Sequence, residues 1–254
     1  MVVRTLMSLL LALSGTATAA QTPLPWDGPL VPVDNGRMVI AAECNRNETP
    51  VWSNTLKRQA HGMEPGETVW LLSRTDARTM RLGKPTCYGG ECHGDYAALQ
   101  LPVAASSDLI AVVPRRFLHD GEEVRPLRRL EERCDRDEPQ GWVLAECKTF
   151  ALGGRRHLQV RWETRAPESE GNVTRTYASV ARPHAARDWQ LVVETAGRTE
   201  PEILLIRADS VDILWRTITG IGGPAEITLF LSRVGRDGSL TLGHRYSAGG
   251  QPCD

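Results

Sequence analysis

From Arg37 to Tyr246 the chain is a succession of short β-prone runs separated by turn residues, and that punctuation constrains the fold more than any other feature. The runs are Arg37–Glu43, Thr68–Ser73, Ala97–Pro102, Leu109–Val113, Trp142–Phe150, His157–Thr164, Val173–Val180, Trp189–Glu194, Glu202–Arg207, Val211–Arg216, Glu226–Ser232 and Leu240–Tyr246. Leu158, Val160 and Trp162 alternate with Gln159, Arg161 and Glu163, the period of two expected of a half-buried strand, and Ile227, Leu229 and Leu231 repeat it. Gly235-Arg236-Asp237-Gly238 separates the last two runs and reads as a hairpin turn. Many short strands at fairly even spacing, without strand–helix alternation, predict an all-β, mainly antiparallel sandwich or barrel-like fold with at most one or two short helices. The expected helix is Val124 to Cys134, where Leu127, Leu130 and Cys134 fall at helical intervals and Pro126 suits a first helical position.

The first twenty residues read differently. Arg4 precedes the apolar run Leu6 to Leu13, and small residues from Ser14 to Ala20 follow it, the pattern of a secretory signal peptide cleaved after Ala19 or Ala20. The apolar run is far shorter than the roughly 20 residues that span a bilayer. Residues 21–33 carry four prolines and are expected to form an extended tether or edge segment ahead of a β-rich body, residues 34–254. If that body divides, subdomains 34–120 and 121–254 meet at Asp120-Gly121. The expected location is therefore periplasmic or secreted, with no transmembrane segment in the mature chain.

Export gives the six cysteines their meaning: an even count in an oxidising compartment reads as a disulfide framework, although six allow 15 connectivities. Cys87 and Cys92 flank Tyr88-Gly89-Gly90-Glu91. A two-residue Gly-Gly hairpin would set them opposite each other in a non-hydrogen-bonded pair about 4.5 Å apart, within disulfide reach. Cys134 and Cys147 sit nearly symmetrically about the turn-rich Asp135–Gly141. Cys44 and Cys253 then remain, and closing so long a loop contributes about 4–5 kcal/mol in the chain-entropy account. Three cysteines lie on each side of residue 120, so full oxidation within one chain requires at least one bridge across that point.

The formal charge of −1 removes the electrostatic footprint of a nucleic-acid binder. Cys87-x4-Cys92-His93 is two residues longer than the Cys-x-x-Cys-His of covalent haem attachment, and the Gly-Gly centre accounts for the spacing as a hairpin. Zinc held by Cys87, Cys92, His93 and Asp95 lacks a second ligand pair. No Gly-x-Ser-x-Gly, His-Glu-x-x-His or phosphate-cradling loop is present. Trp70, Trp142, Trp162, Trp189 and Trp215 lie in or beside strands and are expected in the core. Trp26 and Trp52, among prolines and polar residues, are the candidates for ligand or partner contact. The expectation is a non-catalytic binding or envelope-interaction module for a protein, glycan or lipid, without a cofactor. An exported hydrolase without a local motif, and a metal- or haem-bearing protein built on Cys87-x4-Cys92-His93, are the alternatives.

Overall fold

The computed structural model describes residues 30–34, 37–41, 63–83, 85–87, 96–100, 108–131, 141–165, 173–182, 188–219 and 226–248. Among these the chain is all-β: seventeen strands in three antiparallel sheets, with one turn of 3-10 helix at Arg115–Phe117. No helix among the described residues is long and apolar enough to cross a membrane.

The first sheet has seven strands: β1 (Val31–Asp34), β2 (Arg37–Ala41), β3 (Thr68–Ser73), β4 (Ala77–Arg81), β5 (Pro85–Cys87), β6 (Tyr96–Gln100) and β7 (Leu109–Pro114). Their order is β4-β3-β7-β1-β2-β6-β5. The second contains β8 (Glu123–Pro126), β14 (Arg198–Ile206), β15 (Val211–Thr219), β16 (Glu226–Val234) and β17 (Leu240–Ala248), ordered β17-β16-β15-β14-β8. The third contains β9 (Arg128–Leu130), β10 (Trp142–Gly153), β11 (Arg156–Arg165), β12 (Thr174–Ala181) and β13 (Gln190–Thr195), ordered β13-β12-β11-β10-β9.

Two cores define how the sheets stack. In one, Leu72, Ile110 and Val113 of the first sheet meet Ile203, Leu205, Leu214, Leu229 and Leu231 of the second. In the other, Leu158, Val160 and Trp162 of the third sheet meet Leu204, Ile213, Trp215 and Phe230. The second sheet is therefore the middle layer, buried on both faces. That explains unbroken apolar runs such as Ile203-Leu204-Leu205-Ile206 and Leu229-Phe230-Leu231: a strand covered on one side alternates, whereas one covered on both does not. Several polar side chains trapped there are paired with one another, although Arg216 Nε of β15 makes no hydrogen bond. Trp215 Nε1 donates to Ser232 Oγ at 2.8 Å, and the Thr199 and Thr217 hydroxyls share a 2.6 Å bond.

The segment expected to be a helix, Val124 to Cys134, begins instead with the short strands β8 and β9. Its apolar residues are not one helical face. Val124 packs against the first core and Leu127 against the second, because the chain crosses from the middle sheet to the third between them. The end of the proline-rich segment also departs from a tether or edge. Leu30, Val31 and Val33 are buried, and β1 lies between β7 and β2 inside the first sheet. Pro32 fits because β1 is laddered to β7 at Val31 and Pro32 and to β2 only from Val33 on, so its missing N–H disturbs one side alone. Residues on both sides of Asp120-Gly121 share the first core.

The expected turn before the last strand forms: Gly235 N donates to Ser239 O at 2.8 Å and Gly238 N to Gly235 O at 3.1 Å. Gly238, at φ +95°, backs so closely onto β12 that a Cβ there would stand 2.5 Å from Val180 O. Tight turning also marks the β10–β11 hairpin, where Gly154 and Arg155 have φ of 56° and 64°, the paired positive values of a type I′ turn.

Candidate functional site

The third sheet covers the middle layer with one face only. Pairing across its ladders places Gln159, Arg161 and Glu163 of β11 on the other, outward face, beside Ser179, Tyr177 and Arg175 of β12 and Cys147 and Thr149 of β10. The strand alternation predicted from sequence is present, but its polar side is not solvent-exposed. Gln159 is 3% exposed, Arg161 8% and Glu163 1%.

This row is incompletely satisfied. Gln159 Nε2 donates to Thr149 Oγ1 at 3.1 Å, while Gln159 Oε1 accepts no hydrogen bond. Arg161 Nε stands 2.8 Å from Glu163 Oε1, close enough for an ion pair but off the hydrogen-bond axis, and neither carboxylate oxygen of Glu163 receives a hydrogen bond. The Ser179 hydroxyl is likewise without one. Burial pushes the Glu163 carboxyl above the usual carboxylate range, and the nearby charges of Arg161 and Arg175 only partly offset it. A buried polar group without a partner costs about 1–3 kcal/mol. Several of them along one strand call for a reason.

Around the row stand three half-buried aromatic rings, each carrying a guanidinium. Arg161 lies over Trp189 at 4.7 Å and Tyr177 at 5.2 Å. Arg175 lies over Trp142 at 3.9 Å, with Arg165 on the same ring at 5.7 Å. Arg175 also reaches across to β13, where its Nε meets Glu194 Oε2 at 2.6 Å. The face thus holds hydrogen-bond acceptors, cationic donors and aromatic surface within a few residues of one another.

A cleft of about 350 Å³ under the Gly235–Ser239 turn is a weaker candidate. Its inner charges are already committed: Arg156 donates to the carbonyls of Gly235 and Arg236, and Asp237 accepts from the Ser239 hydroxyl and backbone. The hydrogen bonds of Ser239 hold the Asp237 carboxyl below its usual value.

The tryptophans divide. Trp162 and Trp215 are in the core as expected, but Trp70, Trp142 and Trp189 are only half-buried, and the last two belong to the outward face. Trp26 and Trp52 lie outside the described residues. So do Cys44, Cys92, His93, Cys134 and Cys253. Cys87 is on β5, where its ladder partner is Ala97. A two-residue Gly-Gly hairpin would have placed Cys92 opposite it, so that register does not continue into β5. Cys147 is disulfide-bonded. Among the described residues no group of three or more His, Cys, Asp or Glu is placed to hold a metal ion.

Sequence reasoning missed Gln159, Arg161 and Glu163 because polar residues at alternate positions ordinarily mean solvent. The available signal was cross-strand: their neighbours are Tyr177, Ser179 and Thr149, not the lysines and glutamates of a solvated face. No family model, curated protein or solved structure matches this chain.

Proposed function

We propose that the chain is an exported, disulfide-stabilised binding module that acts without catalysis through the outward face of its third sheet. The observation that carries this reading is the β11 row, in which Gln159 and Glu163 keep buried acceptor atoms without hydrogen bonds. A protein that gained nothing from such a row would be more stable with apolar or neutral side chains in its place. Arg161, Arg175 and the rings of Trp142, Tyr177 and Trp189 supply the remaining elements of a recognition surface: directed donors and large, stiff contact area.

Export rests on the signal-peptide pattern of residues 1–20. For the disulfides, Cys134 is the proposed partner of Cys147. The β9–β10 ladder ends at Leu130 opposite Thr149, and Cys147 lies two residues further along β10 in the direction β9 is running. Cys87–Cys92 and Cys44–Cys253 complete the proposed set. Peptide mapping without reductant is expected to show a link crossing residue 120; two halves separable without reductant would reject the framework.

The site itself is tested by thermal unfolding of Glu163→Gln and Ser179→Ala. Relieving a strained binding surface leaves the melting temperature unchanged or raises it by about 2–4 °C per kcal/mol recovered. A loss of several degrees in both variants would assign the row to the structure of the sheet instead.

A further inference from the structure

From the charge balance of this face we infer that its ligand is a neutral, polyhydroxylated chain, a glycan. The inference rests on the outward face being the binding site and names what that site takes. Among the described residues of the face, three guanidinium groups, of Arg161, Arg165 and Arg175, stand beside two carboxylates, Glu163 and Glu194. A cationic ligand would enter against the arginines. An anionic one would be brought against Glu163, whose oxygens already receive no hydrogen bond. A sugar hydroxyl donates and accepts at once. It can give its proton to Glu163 or to Gln159 Oε1 while accepting from an arginine, which neither simple ion can do.

The aromatic groups fit the same ligand. Trp142 approaches the row from β10 and Tyr177 from β12, the two strands beside β11, and Trp189 from the residue just before β13, each half-buried. Apolar ring faces beside directed polar groups suit a pyranose, which has C–H faces and a hydroxyl rim. Leu191, 49% exposed and opposite Tyr177, extends that apolar margin along β13. Glu163 stands opposite Arg175 in the β11–β12 ladder and Arg175 opposite Glu194 in the next, so the Arg175–Glu194 pair flanks it. Their side chains are 30% and 37% exposed, and so open a pair costs little to part. Arg175 then exchanges one acceptor for a ligand hydroxyl.

The test uses the full oxidised protein and calorimetric titration with cellohexaose, maltohexaose and chitohexaose, and with inorganic phosphate and spermidine as charged probes. Saturable binding of at least one hexaose is expected, at least tenfold weaker in Glu163→Gln and in Gln159→Ala. Arg236→Ala, in the cleft under the Gly235–Ser239 turn, should bind as the parent does. Spermidine and phosphate should give no saturable heat. No binding of any hexaose at 5 mM (about the upper limit of weak specific recognition), binding indifferent to both substitutions in the row, or preferential binding of either ion overturns the inference. Melting curves of the same Glu163→Gln protein separate the two levels. An unchanged or raised melting temperature without hexaose binding rejects the glycan and keeps the site, whereas the several-degree fall shared with Ser179→Ala rejects the site itself.

Discussion

Asp212 and Glu163 are both buried carboxylates facing arginines, yet their surroundings differ in completeness. Asp212, fully buried at the start of β15, accepts from Arg207 Nε at 2.8 Å and from Arg233 Nε at 2.9 Å and Nη2 at 3.3 Å. Arg207 in turn donates to Glu122 at 2.6 Å and to the Phe117 carbonyl at 3.3 Å. That network ties the 3-10 turn and β8 to the strand ends of the middle sheet. Glu163, just as inaccessible, has one off-axis arginine and no hydrogen bond. Burial of a charge alone therefore does not identify its purpose. Asp212 has its acceptor positions filled and Glu163 does not, and it is on those open positions that the proposed binding role draws.

Breaking the completed member should have the largest effect. Asp212→Asn takes from Arg207 and Arg233 the buried carboxylate they share, and a loss of about 3–5 kcal/mol is expected in urea unfolding. A loss below about 1 kcal/mol would erase the distinction, since that is the range of an exposed ion pair. Glu163→Gln should move the other way, gaining on the order of 1 kcal/mol as a buried charge that accepts no hydrogen bond is removed. The same contrast exists among hydroxyls. Thr199→Val strips Thr217 of its partner and should cost about 1 kcal/mol, while Ser179→Ala, removing a hydroxyl that bonds to nothing, should lie within about 0.5 kcal/mol of the parent.

Acidity sharpens the contrast further. Burial pushes the Glu146 carboxyl up, but the hydrogen bond from Arg198 and the charges of Arg198 and Lys148 outweigh it and hold the group below its usual 4.5. Its contribution to stability is present above 4.5 and lost as pH falls through the lowered value. Glu163 has the opposite sign. Its raised value means the folded protein holds that proton more tightly than the unfolded chain, so stability declines as pH climbs from 4.5 through the folded value. The gain of Glu163→Gln over the parent should therefore grow across that interval, and the loss of Glu146→Gln should shrink as pH drops below 4.5. Parallel pH curves for parent and Glu163→Gln would place Glu163 in an ordinary solvated setting.

What was legible beforehand follows the same physics. Each of the twelve runs read from the sequence contains a strand among the described residues. Of the five strands not anticipated, β4, β5, β8 and β9 each lie at a sheet edge. An edge strand exposes one ladder and much of its surface, so Ala-Arg-Thr-Met-Arg of β4 and Glu-Val-Arg-Pro of β8 carry no apolar period to read. The fifth, β1, is interior but only four residues long and contains a proline. Asn35-Gly36, which follows Asp34 in the sequence, is a dipeptide that favours hairpin turns and is the sequence signal for a strand there. The candidate site was harder. Alternation fixes which side of β11 faces the core, but it cannot tell a solvated outer side from one closed over by neighbouring side chains.

The middle layer has a consequence in time as well as in space. Strands β14–β17, running from Arg198 to Ala248, follow every strand of both outer sheets in the chain. A polypeptide that emerges N-terminus first must therefore hold two apolar sheet faces, those of Leu72 and Ile110 and those of Leu158 and Trp162, before the residues that cover them exist. The late strands supply the shared surface for both, so the two halves complete together and neither can be finished early. Premature pairing of those waiting faces, with each other or with a second chain, is the principal competitor on the route to the native state. Neither outer sheet has its full cover until about the last quarter of the chain has arrived.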